Sequence, residues 1–168
     1  MKIAIISDTH DNLPNFKKAV DWIKKEKIKT IIHCGDICAP GVLKEIAKKF
    51  TGKIHLVFGN VDGAQFFMTK MVYENQLPNV ILYGEKGEIK AGGKRIAFVH
   101  LPEFARGLAF TKKYDLVFYG HTHKPWEEKI GNCRLVNPGN LANLFYKATF
   151  AVYDTKTDNL ELKIIEKL

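Results

Sequence analysis

A chain of 168 residues, 46% hydrophobic and 11% aromatic, is long enough to bury a sizeable core and reads as a single domain over 1–168. No apolar run approaches the roughly 18–20 residues of a membrane-spanning helix, and an odd count of three cysteines argues against a disulfide framework. The net charge of +8 is carried by lysine, 23 of 26 cationic residues, so it supports a nucleic-acid partner only weakly and fits the attraction of an anionic substrate.

The first apolar run, over residues 2–8 ("KIAIISD"), is too short for a secretory signal and reads as a strand, so a cytoplasmic chain is expected. A helix is expected from Leu13 to about Glu26, because Leu13, Phe16, Val20 and Ile23 keep helical spacing. Asp11 or Asn12 can cap it, and Pro14 falls in its first turn. Further strands are expected over 30–36, 53–60, 79–84, 95–100 and 115–121, with helices after Pro40-Gly41 and near 64–74 and 103–112. Three hairpins are indicated by turn residues at Gly92-Gly93, at Gly131-Asn132 and near Thr157–Asn159. Strand–helix alternation early and hairpins late predict a mixed sheet, or two sheets stacked face to face, with helices outside. Cys34 and Cys38 have no second pair at zinc-finger spacing and read as small residues beside a strand end.

The informative pattern lies just past the end of each apolar run. The first leads to Asp8 and His10, the second to Asp36, the third to Asn60, a later one to His100, and the next to His121 and His123. Ligands of open α/β sheets bind along the edge formed by the carboxyl ends of parallel strands. Seven oxygen and nitrogen donors brought to one edge suit divalent metal ions. A single Asp there is more often a helix cap and a single His more often structural, but capping does not account for seven. His33 and His55 lie inside strand runs and are assigned to structure. If the chain stays extended through "GHTH", His121 and His123 project to the same side, one for each of two adjacent ions.

These blocks, D-x-H (Asp8, His10), GD (Gly35, Asp36), GN (Gly59, Asn60), a strand-end His100 and GHTH (Gly120 to His123), resemble the calcineurin-like metallophosphoesterases. The short length, "SDTHDN" and "NPGN" at 137–140 look most like that superfamily's small single-domain bacterial and archaeal phosphodiesterases, which share their fold with the retromer phosphoesterase-like subunit. The resemblance implies a four-layer α/β/β/α sandwich with two mixed β-sheets. It implies two divalent ions about 3.5–4 Å apart, manganese first, with nickel, zinc or iron also used in the family. Asp8, His10 and His123 would hold one ion, Asn60, His100 and His121 the other, and Asp36 would bridge them. The implied activity is hydrolysis of a small-molecule phosphodiester by a hydroxide shared between the ions.

Two stretches depart from the family pattern. Val61 stands where a histidine usually protonates the leaving oxygen, which leaves Asp62 without its usual partner and predicts a diesterase weak on monoesters. "VHLPEFA" at 99–105 keeps His100 but places Leu101 and Pro102 where relatives often carry Gly-His, which touches the substrate pocket rather than the ligands. Arg106 nearby is a candidate phosphate contact, with a surface role as the default. The alternative function is a metal-binding scaffold of the same fold with little catalysis.

Overall fold

Successive residues of the first strand bury in opposite directions. Ile3 and Ile5 join one apolar core, and Ala4 and Ile6 another, because side chains alternate along an extended chain. A strand apolar on both faces must be covered on both, and four layers result.

The computed structural model describes residues 1–168. In chain order the elements are β1 (Lys2–Ile6), α1 (Leu13–Lys25), β2 (Thr30–His33), α2 (Pro40–Lys49), β3 (Lys53–Leu56), α3 (Gln65–Tyr73), β4 (Val80–Leu82), β5 (Lys86–Ala91), β6 (Lys94–Val99), α4 (Pro102–Phe110), β7 (Leu116–Phe118), β8 (Trp126–Ile130), β9 (Cys133–Asn137), β10 (Thr149–Asp154) and β11 (Asn159–Ile164), followed by a 3₁₀ turn over Ile165–Lys167. One sheet runs β11-β10-β1-β2-β3-β4 and the other β5-β6-β7-β9-β8. The outer core packs α1, α2 and α3 on the first sheet through Phe16, Val20, Leu43, Ile46 and Met68. The middle core joins the two sheets through Ile3, Ile5, Phe98, Phe118 and Tyr153. The third core seats α4 on the second sheet through Ala105, Ala109, Val99 and Val117. The order helices, sheet, sheet, helix is the expected sandwich.

β1 to β4 are parallel, and so are β6, β7 and β9, while the antiparallel strands lie outside them. The carboxyl ends of the parallel strands therefore gather along one edge. The three expected hairpins are present as β5–β6, β8–β9 and β10–β11. Asn12 is the cap of α1, its Oδ1 accepting from the Asn15 amide at 3.1 Å. Asp11 instead accepts from the Ala39 amide at 2.8 Å, just ahead of α2.

The strands stop short of the expected ends at residues 8, 36, 60 and 121. At three of those ends the donor residue leaves the extended region altogether, with φ of 51° at Asp8, 58° at Asp36 and 69° at His121. A ladder cannot continue through a left-handed residue. No helix is long and apolar enough to cross a membrane.

Candidate metal centre

Loops after five strands bring the seven donors together. Asp8 Oδ1 lies 3.4 Å from His123 Nε2 and 3.8 Å from His10 Nε2, and the two imidazole nitrogens are 3.1 Å apart. On the neighbouring side, Asn60 Oδ1 lies 2.9 Å from His100 Nε2 and 2.8 Å from His121 Nδ1. Asp36 stands between the two sets: its Oδ2 is 3.2 Å from His100 Nε2 and 3.6 Å from His10 Nε2. Asp8 and Asp36 are buried, as are His100 and His123.

The local chain conformation explains this convergence. Asp8, His10, Asp36, His121 and His123 all have positive φ, a conformation costing non-glycine residues roughly 1–2 kcal/mol each. The chain through His121 (φ 69°) and His123 (φ 59°) is not extended. The alternation argument for this pair therefore fails, and left-handed turns aim the rings instead. Two glycines allow the loops to approach. A Cβ on Gly59 would collide with the Asp36 carboxylate, and one on Gly120 with Ser7 Oγ and the Asp8 carboxylate.

The donors are held by a dense polar support. Both oxygens of Asp8 accept from the His121 amide, at 3.1 and 3.0 Å, and Asp36 Oδ1 accepts from the Val61 amide at 3.0 Å. His100 Nδ1–H donates to the Cys34 carbonyl at 2.8 Å, which fixes the tautomer and turns Nε2 toward the centre. His123 Nδ1 is buried without a hydrogen-bond partner, and its Nε2 faces Asp8 and His10.

Asp62 is the largest departure from the sequence reading, in which its carboxylate has no partner. It is buried, Oδ2 accepting from the amides of Gly59 at 2.7 Å and Asp36 at 3.0 Å, and Oδ1 from Cys38 at 2.7 Å. It staples the loop after β2 to the loop after β3. His33 has a comparable role inside the core. Its Nδ1 accepts from the Gly35 amide at 3.2 Å, so Nε2–H faces Thr9 Oγ1 at 2.8 Å, tying the first two loops. Asn137 donates to the Gly120 carbonyl at 2.8 Å and to Thr122 Oγ1 at 3.0 Å, and Asn140 donates to the His123 carbonyl at 3.1 Å. "NPGN" comes directly after an apolar run, the same strand-end signal that marks the seven donors.

Val61 turns its side chain outward, 44% exposed. Arg106 pairs with Glu128 at 2.5 Å on the surface, matching its default reading. His55 bonds Tyr83 Oη at 2.8 Å away from the centre. Cys34 is fully buried; Cys38 Sγ is 3.7 Å from His10 Nδ1, and burial with neighbouring Asp11 and Asp62 pushes its thiol up to about 12.

The electrostatics of the metal-free chain arise from these contacts. Burial pushes the Asp8 carboxyl up, but bonds from His10 and His123 outweigh it and hold it below the usual range. Asp36 is likewise held low, contact with His100 and the Val61 amide overcoming burial. Burial lowers His100 and Asp36 more than restores it, while Asp8 raises His123. Imidazole nitrogens and carboxylate oxygens that meet at such short range, with no lysine or arginine among them, form a donor set that fits divalent cations. Asp8, His10 and His123 form one compact triad and Asp8, Asp36 and His100 a second, donor atoms lying within 4.8 Å of one another in each.

The calcineurin-like phosphoesterase superfamily domain matches residues 1–158. The chain belongs to that superfamily. A relative named Phosphodiesterase MJ0936, from Methanocaldococcus jannaschii, is 31% identical over 167 residues, covering 99% of this chain and 100% of that one. A solved structure of a novel archaeal phosphodiesterase superposes with a TM-score of 0.88 at 28% identity, covering 98% of this chain and 99% of the other. Vps29 from Entamoeba histolytica, in complex with zinc, matches with a TM-score of 0.67 at 16% identity over 98% of this chain and 99% of its own, a likeness of fold alone. The superfamily resemblance read from the five blocks therefore holds, as does the two-sheet sandwich it implied.

Proposed function

We propose that this chain hydrolyses small-molecule phosphodiesters at a centre of two divalent ions. Asp8, His10 and His123 would hold one, Asn60, His100 and His121 the other, and Asp36 both. The observation that carries the reading is the position of Asp36 Oδ2, within 3.2 and 3.6 Å of a histidine nitrogen from each set. Manganese is the expected metal from the family resemblance, with nickel, zinc or iron as substitutes; imidazole, carboxylate and amide donors accept all four. When bound, two such ions supply Lewis acidity toward the phosphoryl oxygens and a nucleophilic hydroxide from water at neutral pH.

The chain's own residues prepare the rest. Asp8 and Asp36 are already deprotonated at neutral pH, their carboxyls being held low. Only these two donors are anionic, so the loaded centre is formally positive and attracts a phosphodiester anion. His100 is kept in register by the Cys34 carbonyl, and Asp36 by the Val61 amide. Val61 has no proton to give a leaving oxygen, so turnover should favour good leaving groups and monoesters should react weakly. Cytoplasmic residence is part of the same proposal.

The test is hydrolysis of bis(4-nitrophenyl) phosphate by metal-stripped protein before and after manganese, with 4-nitrophenyl phosphate and Asp36→Asn alongside. The expected result is metal-dependent diester cleavage, slow monoester turnover, and a loss of at least about 10³-fold in the variant, on the scale of removing a central stabilising group. No turnover despite stoichiometric metal binding would favour the scaffold reading.

A further inference from the structure

A cavity of about 240 Å³ opens beside one half of the centre. Asn60 and His100, both candidate ligands, line it, so it is continuous with the place where a phosphoryl group would sit. Phe58, Leu101 and Phe104 supply its apolar surface, and Gln65 and Glu85 its polar side chains. None of the lining residues is a lysine or arginine, although the chain has 26 of them and a net charge of +8.

We propose that this cavity receives one organic arm of the phosphodiester, and that the arm is a single neutral aromatic ring carrying an N–H or O–H donor for Glu85. The inference rests on the phosphodiesterase reading above and adds the substrate class. A diester anchored at the centre sends two arms outward, and the concavity adjoining Asn60 and His100 is positioned to take one of them. Its apolar wall favours a ring over a hydrated sugar or a short alkyl group. Phe104 is 56% exposed, a large aromatic left open where a flat partner can stack on it. A second phosphate or carboxylate on the arm would meet Glu85 with no cation in the lining to offset it. The volume is below the roughly 300–1,000 Å³ of sites for drug-sized ligands, which limits the occupant to one ring system.

The test uses manganese-loaded protein and two unreactive diesters, diphenyl phosphate and dimethyl phosphate. Each is read as an inhibitor of bis(4-nitrophenyl) phosphate hydrolysis and, independently, by calorimetric binding. Diphenyl phosphate should bind about tenfold or more tightly than dimethyl phosphate, as expected for added apolar surface in a fitted pocket. Phe104→Ala should shrink that ratio to a few-fold; this side chain is mostly exposed, so the fold tolerates its loss, checked by circular dichroism. Glu85→Lys should reverse a preference for a 4-carbamoylphenyl over a 4-carboxyphenyl methyl phosphodiester. Equal binding of the phenyl and methyl diesters, binding of neither, or a ratio that survives Phe104→Ala overturns the inference. Absence of turnover with the ring preference intact would count against the proposed activity and leave the cavity assignment standing.

Discussion

The two halves of the candidate centre differ in depth and charge. Asp8 is fully buried, His123 is 6% exposed, and His10 is half-buried. Across Asp36, Asn60 and His121 are exposed, and only His100 is buried. The closed half has its own carboxylate, whereas the open half offers a neutral amide and adjoins the Phe104 cavity. On the proposed two-ion reading the closed half would hold its cation firmly and the open half loosely enough to present it to substrate, with Asp36 coupling them.

The largest expected effect falls on the support shared by both halves. Asp62→Ala removes the acceptor for three amides, those of Asp36, Cys38 and Gly59. Leaving buried donors unsatisfied costs roughly 1–3 kcal/mol each, so the variant should lose about 3–5 kcal/mol in urea unfolding. Because Gly59 and Asp36 lead to the open half and the shared carboxylate, manganese uptake there should weaken first. A variant as stable as the parent would break the comparison at its root.

A second effect is pH-dependent and centred on the closed half. His33 is fully buried, and burial lowers its pKa from 6.5 to about 4. Its folded pKa lies below the unfolded one, so its contribution is present above pH 6.5 and lost as pH falls through 4. The metal-free protein should lose about 3 kcal/mol over that window through this residue. Denaturation of the parent and His33→Gln at several pH values isolates the effect by difference, because His55, which burial also lowers, is common to both. A slope unchanged in His33→Gln would remove His33 from the account.

The smallest effect concerns the rim of the closed half. Phe145 is 89% exposed with φ of 62°, and its ring centroid is 5.5 Å from that of His123. Phe145→Gly relieves a left-handed conformation at little loss of burial, so thermal unfolding should show a gain of about 1 kcal/mol. A loss instead would mean that the ring's contact with His123 outweighs the backbone strain.

While the division into two sheets comes only with the family resemblance, the pattern of apolar runs ending in Asp, Asn or His is enough to bring Asp8, Asp36, Asn60 and His100 to one edge. That reading depends only on alternation and strand direction, both local properties. The failure at His121 and His123 has a local cause too: left-handed φ values at non-glycine residues leave no mark in composition. Asp62 escapes such a reading because its partners are backbone amides, one of them 26 positions away, and backbone groups are invisible in a sequence. The cavity depends on how α4 seats against β6 and β7, so "VHLPEFA" shows an altered pocket wall without showing its shape.

The most direct test of the unequal halves is a calorimetric manganese titration of metal-stripped protein. Two events of different affinity are predicted, the tighter lost in Asp8→Asn, the weaker lost in Asn60→Ala, and both impaired in Asp36→Asn. A single event indifferent to Asn60→Ala, or two events of equal affinity, would contradict the account.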